Sequence, residues 1–199
     1  METFPRRPVW TYIFIAVCVV MFVFENFLQQ TWYLAFWPVQ AFVWPWTFVT
    51  SIFLHAGVEH LLFNMIALFF FGYSLENMVG RRLFVTIFLV SGVLGNLGYL
   101  VTSIVGLTDM LIPAVGASGA IYGVVGTIVV LTPFKRVFLY GFFPIPLIFV
   151  VIFWVLFDLM GLFSPSGIAH GAHLGGIIVG VLFGSYIRRN MVAVRYYMM

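Results

Sequence analysis

A serine lies between small residues where a strongly apolar segment begins, in the run Gly116–Gly119. Two histidines, His170 and His173, open a later apolar segment. A neutral imidazole can take the proton of a serine hydroxyl and so activate it as a nucleophile. Taken alone, however, Ser118 is an ordinary helix cap, because serine is common at helix N-termini. The surrounding elements must decide between a cap and a nucleophile.

The composition is that of a polytopic membrane protein. The 199 residues are 63% hydrophobic and only 8% charged, with a mean hydropathy of +1.13, whereas a soluble domain of this length needs more polar surface. We expect one membrane domain over residues 1–199 and no nucleic-acid partner. The single cysteine, Cys18, excludes an intrachain disulfide and a cysteine-rich metal site.

Six segments are long and apolar enough for membrane helices, which need about 20 residues. With this count, all nine basic residues fall at the N-terminus, in the second-to-third and fourth-to-fifth loops, and at the C-terminus. The positive-inside rule then puts both termini in the cytoplasm. We predict an all-α, six-helix bundle in the cell membrane, with spans at about 9–28, 59–78, 82–105, 115–133, 143–163 and 168–187.

The first outer loop, residues 29–58, is long for a small bundle and holds four of the six tryptophans. Amphipathic aromatic rings settle at the membrane interface. The loop is therefore either a simple aromatic anchor on the outer leaflet or a structured lid beside a site. Farther along the chain, Pro144 and Pro146 mark the passage from a loop into the fifth span.

Polar residues at membrane depth are the informative ones in such a chain. His60 and Asn64 share one helix face at i and i+4, a pattern that by itself favours two residues fastening helices together. The fourth span is short, ~26 Å at the usual helical rise, so it starts below the outer surface. Ser118 at its beginning would then need a water-filled hollow above it.

Small residues on two spans predict that a histidine meets this serine. His173, Gly176 and Gly180 lie within one narrow face of the sixth span. Because small residues let helix backbones approach closely, packing two such faces together brings His173 toward Ser118. The matching small face of the fourth span is formed by Gly119, Gly123 and Gly126.

No carboxylate has an evident place behind His173, so we predict a Ser–His dyad, with Tyr122 as the ring that orients the imidazole. Asp158, an acid within the fifth span, is interpreted as a structural hydrogen-bonding group near the outer end of its helix. An α/β hydrolase is disfavoured, since the run around Ser118 misses the last glycine of a G-x-S-x-G elbow. A zinc site, for which no HExxH motif is present, would use His55, His60, His170 and His173.

Several stretches of the sequence together form a recognisable pattern. They are, in order, His55 through Asn64, Gly116 through Gly119 with Tyr122, and Ala172 through Gly176 with Gly180, and also Glu76 through Arg81 and Phe157 through Leu159. On these residues, the chain resembles the rhomboid intramembrane serine proteases over nearly its whole length, in their minimal six-helix form. One departure concerns the first outer loop, where Trp46 is followed by Thr47 rather than by arginine, which leaves open how the loop is anchored.

The resemblance implies that Ser118 is the nucleophile and His173 its base. It also implies that His60 and Asn64 donate to the oxyanion, and that Tyr122 packs on His173. The implied reaction is cleavage of a peptide bond in or near a transmembrane segment of a protein substrate, in the lipid bilayer and without a cofactor or metal. The residues expected to support this site are Gly116, Gly119 and Gly176.

The implied site opens to the extracytoplasmic side, with the fifth span near Leu156 as the substrate gate. The alternative is a catalytically inactive relative that binds membrane helices as a chaperone or dislocation factor, although such proteins lack the dyad. A transporter fits poorly, because the spans carry few charges and no clear inverted repeat. The sequence leaves the natural substrate and the oligomeric state open.

Overall fold

The computed structural model describes residues 8–28, 31–139, 143–164 and 167–197. Helices occupy the positions of all six predicted spans. Among the described residues, four helical segments are long and apolar enough to cross a membrane, while α6 and α7 are shorter apolar helices. The elements are α1 (Trp10–Leu28), α2 (Thr47–Thr50), α3 (Val58–Ala67), α4 (Tyr73–Val79), α5 (Arg81–Ile104), α6 (Ser118–Leu131), β1 (Arg136–Leu139), β2 (Phe143–Pro146), α7 (Leu147–Gly161) and α8 (His170–Tyr197).

The second predicted span is one continuous helical rod made of three parts. A π-helical stretch, Leu68–Gly72, joins α3 to α4. The rod ends at Gly80, which has a φ of 82°, a left-handed conformation that glycine adopts without a side-chain clash. Because α5 follows directly at Arg81, this one residue reverses the chain between two long helices.

A buried carboxylate fastens α1 to this rod. Glu76 of α4 accepts hydrogen bonds from the backbone N–H groups of Val9 (2.8 Å), Trp10 (3.0 Å) and Thr11 (2.8 Å), and from the Thr11 hydroxyl (2.8 Å). These amides belong to the start of α1, where a helix has no internal acceptors for them. Glu76 therefore caps α1 from another helix and complements its positive N-terminal dipole.

The core of the bundle is α6, packed between α5 and α8. Glycines line α6 where it meets α8. A Cβ on Gly119 would lie 3.2 Å from the Ala172 carbonyl oxygen, and one on Gly126 would lie 2.8 Å from the carbonyl oxygen of Ile177. From the other side, Gly176 and Gly180 lie directly against the backbone of α6. The prediction that two glycine-lined faces meet is confirmed.

The first outer loop is structured. It contains α2 and short 3-10 turns, and two of its indole N–H groups donate to carbonyls of the same loop. Asn96 of α5 donates to the Ser51 hydroxyl (2.8 Å) and to the Phe48 carbonyl (2.9 Å), and Phe36 pairs with Ala114 through two backbone hydrogen bonds. These contacts anchor the loop to α5 and to the segment before α6 without an arginine.

The start of the fifth span differs from the prediction. Residues 143–146 are not helical but form β2, which pairs antiparallel with β1 in a register that sets Arg136 opposite Pro146 and Leu139 opposite Phe143. Two prolines in four residues lack the N–H groups that a helix needs, and proline is tolerated at sheet edges. The helix therefore begins only at Leu147, and α7 is 15 residues long.

Basic side chains of the described residues contact one end of the bundle. Lys135, just before β1, donates to the Ser74 hydroxyl of α4 at 2.5 Å. Arg188 of α8 donates to the Val130 carbonyl in the last turn of α6 at 3.3 Å. This end is opposite to the one at which α6 and α8 begin. Arg6 and Arg7, also used to predict the orientation, lie outside the described residues.

Candidate active site

Ser118 is the first residue of α6, and the loop before it is held in an unusual conformation. Gly116 has a φ of 123°, and its N–H donates to the Ser51 carbonyl of the first outer loop at 2.9 Å. The first-turn amides of a helix lack internal acceptors and carry the positive end of its dipole. Ser118 therefore lies where negative charge on a reacting oxygen would be stabilised.

His173, in the first turn of α8, lies beside this serine. Its Nε2 is 2.8 Å from the Ser118 hydroxyl oxygen, so the two side chains predicted to form a dyad are within hydrogen-bonding distance. The Tyr122 ring stacks on the imidazole with centroids 4.3 Å apart and planes 12° apart. Trp154 of α7 stacks in turn on Tyr122, with centroids 5.2 Å apart.

Glycines make this approach possible. A Cβ on Gly176, one turn after His173, would collide with the Gly119 carbonyl, and one on Gly119 would lie 3.2 Å from the Ala172 carbonyl. Any larger residue at these positions would push the two helices apart and lengthen the distance between Ser118 and His173. Both glycines lie where the prediction placed them.

A carboxylate does lie behind His173, and the expectation that none would was wrong. Asp158 Oδ1 is 2.9 Å from His173 Nδ1 and 2.6 Å from His170 Nδ1. α7 and α8 are neighbours connected by a short loop, so the end of one helix meets the beginning of the next. The sequence feature that could have indicated this contact is an acid near the end of α7 followed by two histidines, at i and i+3, at the start of α8. Trp154, one turn before Asp158 on the same face of α7, is a second such feature.

His60 and Asn64, the two side chains predicted to donate to an oxyanion, differ in the contacts that they make. The His60 ring packs on Gly116, whose added Cβ would lie 2.8 Å from His60 Nε2, so this ring borders the loop that leads into Ser118. The Asn64 amide donates to the His60 carbonyl at 2.8 Å. An amide has two N–H donors, and this bond uses one of them within α3.

The four histidines do not form one cluster. The rings of His55 and His60 contact each other with centroids 5.2 Å apart, and His170 and His173 form a second pair. Burial, with a smaller effect from neighbouring His60, lowers the pKa of His55 to about 4, so its ring is neutral at pH 7. Within the described ranges, the group whose ligand atoms are close enough to share a metal ion is Asp158, His170 and His173.

A cavity of about 480 Å³ lies between the loop that follows α5 and the loop that joins α7 to α8. His170 lines it, together with residues such as Tyr99, Asp109 and Gly161, whereas Ser118 and His173 do not. Ser118 and His173 are themselves partly exposed. The water-filled hollow above Ser118 stays a prediction.

The domain match and the relatives found by comparison with known proteins point to the same family. Residues 43–190 match the Rhomboid domain. A Bacillus subtilis protein whose name places it among the rhomboid proteases, YdcA, is 36% identical over 69% of this chain and 64% of its own length. Rhomboid protein 1, mitochondrial, of Saccharomyces cerevisiae is 34% identical over 71% of the chain and 41% of its own length.

Rhomboid protease GluP of Bacillus subtilis is 30% identical over 87% of this chain and 34% of its own length. The chain thus spans between about a third and two thirds of the length of these relatives. The matched residues 43–190 include α3, α6, α7 and the start of α8, which carry Ser118, His173 and the side chains around them. The chain belongs to the rhomboid family.

Proposed function

We propose that this protein is an intramembrane serine endopeptidase in which Ser118 is the nucleophile and His173 the general base. The proposal rests on one observation above all, the 2.8 Å distance between the Ser118 hydroxyl oxygen and His173 Nε2. The names of relatives such as GluP, a rhomboid protease, support the same class of reaction. A hydroxyl next to an imidazole nitrogen is the arrangement that activates serine.

Each half of the proposed reaction passes one proton through His173. As Ser118 Oγ attacks the substrate carbonyl carbon, its proton passes to His173 Nε2. When the tetrahedral intermediate collapses, the C–N bond breaks and the same proton goes to the leaving amine. Water then attacks the acyl carbon while His173 Nε2 takes a proton from it. When the acyl C–Oγ bond breaks, this proton goes to Ser118 Oγ and the carboxylic acid product is released. No step of this sequence requires a cofactor.

The oxyanion of the intermediate needs hydrogen-bond donors. The Ser118 backbone N–H at the start of α6 is one, and we propose the imidazole of His60 and the amide of Asn64 as the others. Asn64 already donates one N–H to the His60 carbonyl. In this proposal, its second N–H donates to the oxyanion.

The substrates we propose are single transmembrane segments that approach through the lipid bilayer past α7. Only three residues of α7 are buried, namely Leu147, Val151 and Asp158, and Leu156 is 54% exposed. A helix that packs loosely against the bundle can move aside more easily than α6, which is buried along most of its length. The gate near Leu156 therefore belongs to the same proposal.

For the whole chain we propose a single membrane domain over residues 1–199 with six spans, both termini in the cytoplasm and the site facing the extracytoplasmic side. The contacts of Lys135 and Arg188 at the end of the bundle opposite to Ser118 support this orientation. We propose the cell membrane as its location. Because the yeast relative is named as mitochondrial, fractionation of the source cells is the measurement that distinguishes this membrane from that of an organelle.

Cleavage of a reporter with one transmembrane segment tests the proposed activity. The purified protein is reconstituted in liposomes with the reporter, and the fragments are identified by mass. Ser118→Ala should abolish cleavage while the thermal unfolding midpoint is retained, whereas Ser164→Ala, which alters an exposed serine in the loop after α7, should cleave at the normal rate.

Undiminished cleavage by the Ser118→Ala variant would refute the mechanism. The alternative, a non-catalytic member of the family that binds membrane helices, would give a different result. In that case neither the unaltered protein nor the Ser118→Ala variant would cleave the reporter, and the two would bind it equally well in a co-purification experiment.

A further inference from the structure

Asp158 is the buried acid that a reaction between Ser118 and His173 does not by itself explain. Its side chain is completely inaccessible to solvent. Burying a carboxylate is costly unless it is paired and hydrogen-bonded. Here the single atom Oδ1 faces two imidazoles of α8, His173 Nδ1 at 2.9 Å and His170 Nδ1 at 2.6 Å.

We propose that Asp158 is a positioning residue of His173 and that the site works as a Ser118–His173–Asp158 triad, with His170 holding the carboxylate in place. This inference rests on the proposed function. An ionised carboxylate can only accept hydrogen bonds, so it keeps the imidazole proton on Nδ1. The lone pair of Nε2 is then left facing the Ser118 hydroxyl, as a general base requires.

His170 fixes the position of this carboxylate. It is 1% exposed, and its ring lies on Gly161, where an added Cβ would come within 2.7 Å of the imidazole Cδ2. The absence of a side chain at Gly161 therefore makes room for the ring. With one histidine on either side, Oδ1 is held at a hydrogen-bonding distance from His173, while α7 supplies the acid and α8 both donors.

α7 supports the imidazole in a second way. Trp154 and Asp158 lie at i and i+4 on one face of α7. Trp154 stacks on Tyr122, which stacks on His173, whereas Asp158 meets the ring in its edge at Nδ1. Tyr122 thus packs on the face of the His173 ring, and Asp158 contacts the edge of the ring. Both contacts depend on the position of α7, since Trp154 packs on Tyr122 and Asp158 belongs to α7.

The carboxylate would act without receiving the proton. While Ser118 Oγ forms its bond to the carbonyl carbon, Nε2 takes the hydroxyl proton and the imidazole becomes positively charged. Asp158 stabilises that charge across the Nδ1–H bond, and the proton leaves Nε2 for the amine nitrogen when the C–N bond breaks. Removing the charge of Asp158 should therefore slow the chemical step rather than substrate binding.

The test compares the kinetics of Asp158→Asn with those of the unaltered protein on a single-span reporter in liposomes. We expect kcat to fall about 10²- to 10⁴-fold, as expected when the acid of such a triad loses its charge, and KM to change by less than about threefold, because the transition state loses more than the bound substrate does. Asp109→Asn, the same change at an exposed acid of the loop after α5, should leave both constants unchanged.

The pH profile separates a positioning role from a purely structural one. Loss of the negative charge beside His173 destabilises its protonated form, so the acid limb of the activity profile of Asp158→Asn should shift to lower pH. His170→Leu, which removes a donor and leaves the carboxylate a stronger partner for His173, should shift the limb to higher pH. The titratable groups that face His173 are Asp158 on α7, Tyr122 on α6, His60 on α3 and His170 on α8.

Rates are expressed per folded and labelled enzyme, from thermal unfolding and from titration with a fluorophosphonate, so that loss of folded protein is not counted as loss of chemistry. If Asp158→Asn retains its kcat per active enzyme and an unshifted profile, the triad is refuted while the dyad stands. If Asp158→Asn does not fold, the profile of His170→Leu decides, and an unshifted or downward-shifted limb contradicts the proposal. If a chelator changes the activity of the unaltered protein, the three side chains hold a metal and the triad is also refuted. If Ser118→Ala still cleaves, both proposals fail.

Discussion

Gly116 combines two constraints that no other residue type satisfies. Its φ of 123° lies in a region that side chains disfavour, and a Cβ there would lie 2.7 Å from His60 Cε1 and 2.8 Å from His60 Nε2. Gly116 thus has two roles, since its backbone conformation leads the chain to Ser118 and its lack of a side chain leaves room for the His60 ring. Its small size serves the geometry of the site.

Gly116→Ala should therefore reduce the reactivity of Ser118 at least tenfold. The backbone conformation alone costs a non-glycine residue about 1–3 kcal/mol, and relief of the clash would move His60 or the loop. The measurement is the rate of fluorophosphonate labelling. Gly57→Ala is the matched control, because an added Cβ there meets nothing within 4 Å, and equal labelling rates of the two variants would contradict this account.

The stability of the folded protein should depend on pH through the buried side chain of His55. Burial and the neighbouring His60 lower its pKa to about 4 in the folded protein, whereas an unfolded chain has a histidine pKa of about 6.5. Between these values the unfolded state binds a proton that the folded state does not, so stability falls as the pH decreases through this window. At pH 7 both states are neutral at this position and the effect vanishes.

The fall in the thermal unfolding midpoint between pH 7 and pH 5 should accordingly be smaller for His55→Gln than for the unaltered protein. Unfolding is followed by intrinsic fluorescence in one detergent at both pH values. A fall of the same size in both proteins would mean that other groups carry the dependence.

The residues of the site differ in how far the sequence could predict them. Ser118 and His173 were predictable because glycines at helical spacing on both spans required a close contact, and Tyr122 lies one turn from the serine. The position of Asp158 behind His173 was not predicted, because this contact depends on how far α7 extends and on its rotation about its axis. Neither quantity can be derived from a span that is apolar on nearly every side.

Among the elements, α1 depends most on a single side chain of another helix. Four hydrogen bonds from the beginning of α1 converge on the Glu76 carboxylate, and all of them come from residues 9–11. The helix is otherwise a lipid-exposed rod with few buried side chains, such as Phe14 and Cys18. The attachment of α1 to the bundle is therefore concentrated at one end.

Glu76→Ala should lower the thermal unfolding midpoint by several degrees, because each buried N–H left without an acceptor costs about 1–3 kcal/mol. The labelling rate of the folded fraction should change little, since Glu76 lies two residues from Ser74, which contacts Lys135 beyond the end of α6 opposite to Ser118. Glu59→Ala changes an exposed acid in the first turn of α3 and should leave the midpoint within about one degree. A midpoint unaffected by Glu76→Ala would show that α1 is held by its apolar contacts.

Element boundaries were predictable where apolar runs end at charge or glycine, and less so elsewhere. Arg81 begins α5 one residue from the predicted start because Gly80 turns the chain there. The predicted fifth span starts at about residue 143, with Pro144 and Pro146 marking the passage into it from a loop, whereas residues 143–146 form a strand, for which alternating prolines are suited at a sheet edge. Hydropathy reports burial in lipid or protein, and it does not by itself distinguish a strand from a helix in a short segment.

In the molecule as a whole, the Ser118–His173 pair and the contacts of Lys135 and Arg188 lie at opposite ends of the bundle. Ser118 and His173 begin α6 and α8, whereas Arg188 contacts the last turn of α6. The orientation of the chain in the membrane therefore determines which side the site faces. In the orientation that we propose, with the basic end in the cytoplasm, the site would open on the other side.

Two cysteine variants test this orientation in a Cys18→Ser background. Phe42, in the first outer loop, is 85% exposed, and Phe134, between α6 and β1, is 75% exposed. In intact bacterial cells, a maleimide that does not cross membranes should label Phe42→Cys at once, and Phe134→Cys only after lysis. The reverse pattern would place the site in the cytoplasm and overturn the orientation.

The proposed mechanism depends on Ser118 being a nucleophile activated by His173. The most direct measurement is the intact mass of the protein after treatment with a fluorophosphonate, followed by mapping of the modified peptide. We expect one adduct per chain, on Ser118, that is lost in both Ser118→Ala and His173→Ala. A folded protein that takes up no label, or one that is labelled equally well without His173, would refute this mechanism.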